Sequence, residues 1–259
     1  MFIADYIQKA INLLFFYAKV VLFYLFLCRK ENNAYEDIPE PDIRIYFTFR
    51  AFMREKTTTC ITPKEMAERL LMEADSLMRA DSAFWLAAVN RTHPAICRYD
   101  SAIRKKLDNA MLMCPALKKV YLTKLVYLVR SWKPDEILLL LRKMATNVPD
   151  SIAADMWSLK AVLEDRAGFR DTAKHDFRKA DSIYELTLRH YAKEQRDTMQ
   201  YSAIRVMKAL NLSLLYDNFQ LLQHELELYR RVYETPLDGW EVLYTIESKE
   251  QYYRFVFGN

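Results

Sequence analysis

Only three glycines occur in this chain of 259 residues, Gly168, Gly239 and Gly258. Ordinary proteins use about 7% glycine. Tight β-hairpins and phosphate-cradling loops need glycine for positive φ or for close backbone approach. A chain this poor in glycine is left with helices. Leu, Ala, Met, Glu, Lys and Arg are plentiful, and all are good helix formers. The expectation is an all-α protein, with sheet folds and nucleotide-binding loops excluded.

A spacing pattern then organises those helices. A small or branched residue, a large one four later and a small one three after that recur as Ala67, Leu71, Ala74, then Ile103, Leu107, Ala110. The same triad returns as Ile137, Leu141, Met144 and as Ala173, Phe177, Ala180, its last members 36, 34 and 36 residues apart. Pro115 and Pro149 follow two of the triads at a separation of 34. A period near 34 suits a helix–turn–helix unit that buries its faces only by stacking on neighbours.

Residues 157–180 carry a closer likeness. Trp157, Ala161, Gly168-Phe169, Ala173, Phe177 and Ala180 follow the order of aromatic, small residue, turn glycine and small-large-small of the tetratricopeptide repeat. The chain resembles that family best over residues 63–187. The resemblance implies antiparallel helix pairs stacked into a solenoid. Residues 71–82 are also similar to repeat-bearing lipoproteins and sensor proteins of Bacteroidota. Helix starts fit this phasing: Thr62-Pro63-Lys64-Glu65 makes a capping box with proline at the first position. Pro134-Asp135-Glu136 puts proline and two acids in a first turn. A further pair is expected over 199–233, with Leu222, Leu226 and Tyr229 as its triad and a turn at Asp217-Asn218. The helix after Gly168 is expected to run on through Tyr191. Residues 43–54 alternate as a strand does but stand where the first helix of the first pair belongs, and helix is favoured because a lone strand there has no partner. Ser248 to Gln251 open a short helix expected to cap the stack.

Residues 10–28 are apolar apart from Asn12 and Lys19. Their twelve Leu, Ile, Val and Phe side chains each favour insertion by about 0.3–0.6 kcal/mol, against roughly 3 kcal/mol for Lys19. The segment is hydrophobic all round, unlike an amphipathic core helix. It reads either as a spanning anchor or as a signal segment ending at Cys28. Leu25-Phe26-Leu27-Cys28 resembles a lipoprotein cleavage box in its leading leucine and its cysteine, which implies lipidation at Cys28. Residues 31–42, with Pro39 and Pro41, read as an extended linker. The expected organisation is 1–30 anchor or signal, 31–62 linker and first helix, 63–234 helical repeats, and 235–259 a C-terminal capping segment.

No catalytic constellation is apparent. Asp171 and His175 could share a helix face, but nothing supplies the further ligands a metal needs. Cys28, Cys60, Cys97 and Cys114 lack metal or redox spacing. Cys97 and Cys114, read as lying on one continuous helix, would stand about 25 Å apart, too far for a disulfide. The net charge of +4 is mild, and the short runs Arg104-Lys105-Lys106 and Lys118-Lys119 read as solvated helix faces, not as a nucleic-acid surface. No cofactor, nucleic acid or enzymatic activity is expected.

Solenoids bind through the concave face formed by first helices. Projecting the period puts Lys119, Leu122, Val126 and Arg130 there from one unit and Ser158, Val162 and Arg166 from the next. That mixture suits a short amphipathic or acidic peptide. Some family members clamp a peptide carboxylate with Asn and Lys; Leu122 and Val126 stand in those places here. The expected role is a membrane-tethered interaction scaffold of the cell envelope. The alternative is a ligand-recognising subunit of an envelope signalling system.

Overall fold

The computed structural model describes residues 61–85, 96–193, 199–233 and 241–258, and these are helical, with no strand among them. The helices are α1 (Pro63–Ala80), α2 (Asp100–Met113), α3 (Lys118–Arg130), α4 (Pro134–Asn147), α5 (Ala154–Arg166) and α6 (Arg170–Lys193). They continue with α7 (Met199–Tyr216), α8 (Gln220–Tyr233) and α9 (Lys249–Phe257). Short 3-10 turns occupy Pro149–Ser151 and Glu241–Thr245. The apolar segment 10–28, Cys28, the linker and the helix expected over 43–54 lie outside the described residues. Among the described residues no helix is long and apolar enough to cross a membrane.

Local chemistry accounts for where the helices begin. At α1 the Glu65 amide donates to Thr62 Oγ1 at 3.2 Å while the Thr62 amide donates to Glu65 Oε2 at 2.8 Å. Two orphan donors of the first turn are thereby satisfied. Ser248 caps α9 in the same sense, accepting from the Gln251 amide at 3.2 Å.

The turns share one geometry. After α5, Gly168 takes φ +87°, the Phe169 amide donates to the Glu164 carbonyl at 2.9 Å and the Gly168 amide to Asp165 at 3.0 Å. This is a Schellman closure. After α3 the same pair of bonds runs from Lys133 to Leu128 and from Trp132 to Val129, both at 3.2 Å. Trp132 sits there at φ +41°. After α7, Asn218 donates to Ser213 at 3.2 Å with Asp217 at φ +51°. Three successive helix pairs, α3–α4, α5–α6 and α7–α8, thus reverse through equivalent left-handed residues.

The recurrent triads form the core. Ala67, Leu71 and Ala74, Ile103, Leu107 and Ala110, and Ile137, Leu141 and Met144 are all buried. So are Ala173, Phe177 and Ala180, and Leu222, Leu226 and Tyr229. The alanines Ala67, Ala74, Ala110, Ala173 and Ala180 let neighbouring helices approach, while the larger members of the triads fill the space between. Each helix packs on its chain neighbour, from α3–α4 through to α7–α8, and α1 packs on α2 and α3. Helix α5 also touches α7, so it is flanked by α4, α6 and α7 and is buried continuously from Ala154 to Glu164.

Helix α9 does more than cover the last pair. Its Phe257 ring lies 6.1 Å from Trp132, and the Arg166 guanidinium sits 3.9 Å from the same ring. At its other end the Lys249 amide donates to Asp217 Oδ1 at 2.8 Å. The helix therefore runs along the edge where the three equivalent turns emerge. Cys97 and Cys114 are free thiols. They bracket α2 instead of lying on one continuous helix: Cys97 precedes a turn at Arg98-Tyr99, and Cys114 is the residue at the C-terminal end.

Candidate interaction surfaces

Of the expected concave residues, the structure divides the α3 set by exposure. Lys119 is exposed and Leu122 and Val126 are half-buried. Arg130 is buried, which corrects its expected place on an open surface. Its guanidinium stacks 3.9 Å from the Trp85 ring and donates from Nη1 to the Trp85 carbonyl at 3.3 Å. Burial pulls its pKa down to about 10, and repulsion from Arg79 adds to this while Asp75 opposes it. A cation–π contact partly replaces the lost hydration.

Ser158 and Val162 are also corrected, because both are buried. Helix α5 is enclosed by α4, α6 and α7, so it has no open face along most of its length. Arg166, one turn beyond, is exposed but is spent on Phe257 at the α9 edge. What remains of the expected surface is the Lys119, Leu122 and Val126 stripe on α3.

The enclosure of α5 creates a charge cluster that sequence reading missed. Glu164, 1% exposed, accepts both Arg142 Nε at 2.9 Å and Arg142 Nη2 at 2.6 Å. Lys160 Nζ lies 3.3 Å from Glu164 Oε1 and also pairs with the buried Asp176. The Nδ1 atom of the exposed His175 lies 3.1 Å from Asp176 Oδ1, which accepts when that nitrogen carries the proton. Lys179 Nζ stands 4.0 Å and Lys160 Nζ 5.6 Å from the Trp157 ring, so that ring is flanked by cations. Burial would raise the Glu164 pKa, but pairing with Arg142 and Lys160 outweighs it and holds the carboxyl below its usual range.

Asp155, at the opposite end of α5, behaves in the contrary way. It is buried, and its Oδ1 accepts from the Tyr184 hydroxyl at 2.5 Å while Oδ2 has no partner. Burial pushes its pKa up to about 6 from 3.8. A carboxyl whose folded pKa is raised carries no penalty below its unfolded value. The penalty grows as pH climbs from 3.8 to about 6, and is complete above that at about 3 kcal/mol. Asp155→Asn, neutral throughout, should therefore gain on the native protein by on the order of 1 kcal/mol between pH 5 and pH 8. Urea unfolding at the two pH values measures it, and a pH-independent difference would refute the ionised, buried state.

A second surface lies under α9. A cleft of about 580 Å³ is bounded by Asp165 and Arg166 at the end of α5, Arg170 at the start of α6, Asp217, and the α9 side chains Lys249, Tyr253 and Phe257. It runs into a smaller cleft of about 380 Å³ that adds Lys174, Phe177 and Leu215. Lys249 Nζ lies 2.8 Å from Asp165 Oδ2, and the Tyr253 hydroxyl donates to the same oxygen at 2.6 Å. Glu250 and Arg254 pair along α9. The periodic pattern gave no sign of this cleft, because its walls come from segments far apart in the chain, with Asp165 and Tyr253 88 residues apart.

Among the described residues no group of three or more His, Cys, Asp or Glu side chains is placed to hold a metal ion. Among those residues Asp171 and His175 gather no further ligands. Known proteins add no identification: no family model matches the chain, and no match is found among curated proteins or solved structures.

Proposed function

We propose that the chain is a tetratricopeptide-type scaffold that binds a protein partner and is held at a membrane of the cell envelope through residues 10–28. The observation that carries this reading is the coincidence of three periodicities. The sequence triads recur every 34 to 36 residues over the first four units. Every one of those triads is buried. The pairs α3–α4, α5–α6 and α7–α8 reverse through left-handed residues in equivalent positions. A stack of antiparallel helix pairs has all three properties, since each unit buries its face only against the next. Such a stack offers binding surface but no built catalytic centre, so the role proposed is recognition.

The peptide-facing surface in this reading is the α3 stripe. Lys119 supplies a charge and Leu122 and Val126 an apolar strip, at spacings that keep them on one helix face. An amphipathic segment with an acidic end would fit it. Lipidation at Cys28 is the proposed mode of attachment if residues 10–28 are cleaved, and a spanning helix if they are retained.

The test places a photoreactive amino acid in the full-length protein in its native cells, at Leu122 in one variant and at the exposed Lys64 of α1 in another. A cross-linked species of defined mass from Leu122 and not from Lys64 is the expected result. The same adducts from both sites, or none from Leu122, would overturn the assignment of this face.

A further inference from the structure

The cleft under α9 carries more positive charge than its own carboxylates neutralise. Asp165 is committed to Lys249 and Tyr253, and Glu250 to Arg254. The surplus is Arg166, Arg170 and Lys174 against the single carboxylate of Asp217. Arg170 and Lys174 are exposed and have no acidic partner among the described residues. They stand four residues apart on the first turns of α6, so both point from the same helix face. The positive end of α6 adds to their field.

We infer that this cleft binds a short acidic peptide segment of a partner protein, with Arg170 and Lys174 as the principal cations. The volume of about 580 Å³ lies within the ordinary range for a recognition pocket. Tyr253 and Phe257 give it an apolar wall, against which the aliphatic parts of glutamate side chains can pack. Asp217 makes one of its oxygens available beside the cations. It can accept a peptide N–H. The floor is preorganised, because the α9 contacts with Asp165 and Asp217 hold it in place without help from a ligand. The site is separate from the α3 stripe, and its existence does not depend on that stripe binding anything.

The experiment measures fluorescence anisotropy of a fluorescein-labelled hexaglutamate peptide against the full-length protein in detergent micelles, at low salt. The hexaglutamine peptide and a labelled oligo-dT serve as the comparison probes. Saturable binding of hexaglutamate, absent with hexaglutamine and weakened by added salt, is expected. The double variant Arg170→Glu/Lys174→Glu should weaken it by about tenfold or more, with helical circular dichroism unchanged. Reversing two exposed lysines elsewhere, Lys105→Glu/Lys143→Glu, should leave it within about twofold. No saturable binding, or equal losses in the two double variants, would overturn the site. Oligo-dT binding that is likewise removed by Arg170→Glu/Lys174→Glu would overturn the peptide as its occupant. Loss of the Leu122 cross-link with hexaglutamate binding intact would instead count against the α3 face alone.

Discussion

Replacing Glu164 by glutamine should destabilise the protein by about 3–5 kcal/mol at neutral pH, a large fraction of what a domain ordinarily has. The carboxylate is 1% exposed and holds a bidentate Arg142 together with Lys160, itself 7% exposed. Glutamine keeps the shape but removes the charge, leaving Lys160 with Asp176 alone and Arg142 with only the more distant Asp176 to attract it. Arg142 is 39% exposed, so its charge can turn to water, and Arg142→Gln should cost far less than Glu164→Gln. Because pairing holds the Glu164 pKa below 4.5, the stabilisation it gives is fully present above that value. It is lost as pH falls through the lower, folded-state value, and the cost of Glu164→Gln should shrink with it. Asp155 on the same helix has the opposite sign, since acid relieves its penalty. Chemical denaturation of the two single variants from pH 3 to pH 8 separates these effects. A Glu164→Gln cost under about 1 kcal/mol at neutral pH would mean that water already reaches the cluster.

The same helix shows why part of the molecule was legible in the sequence and part was not. Buried triads such as Ala173, Phe177 and Ala180 announce themselves, because one helix face repeats at spacings of four and three. The Thr62 capping box and the Gly168 turn are equally local, each decided by a few adjacent residues. Trp132 takes the same left-handed turn position as Gly168, yet tryptophan has no preference for positive φ, so nothing in the sequence marks it. Surrounding packing, including the Phe257 contact, must hold it there. On α5, nothing in the sequence marks Asp155, Lys160 and Glu164 as buried, since charged residues are ordinarily exposed. They are buried because their partners come from elsewhere, Arg142 on α4, and Asp176 and Tyr184 on α6. Ser158 and Val162 were misplaced for the same reason: period fixes which residues share a face, but not what covers that face. The α9 cleft is the extreme case, since no spacing rule links Asp165 to Tyr253.

Phe177→Ala should cost about 3–5 kcal/mol, while Phe169→Ala, eight residues earlier, should cost less than about 1 kcal/mol. Phe177 is 1% exposed at the large position of its triad, between Ala173 and Ala180. Both flanking alanines are there to let helices close on the ring, so the backbone cannot collapse much further when the ring is removed. The cost is then lost transfer energy plus a residual cavity. The α7 side chain Asn211 donates to the Phe177 carbonyl at 2.9 Å, which fixes the neighbouring helix and further limits relaxation. Phe169 lies in the turn, 50% exposed, with Arg142 4.8 Å from its ring. Losing it removes a cation–π contact in water and little burial. Guanidinium unfolding of the two variants, followed by helical circular dichroism, measures the contrast. If the helices form a nearest-neighbour stack, Phe177→Ala should also broaden the transition, because the weakened α5–α6 unit lets the units on either side unfold separately. An equal cost for the two phenylalanines would show that the triad face is not the stacking face, and would remove the main support for a repeat scaffold.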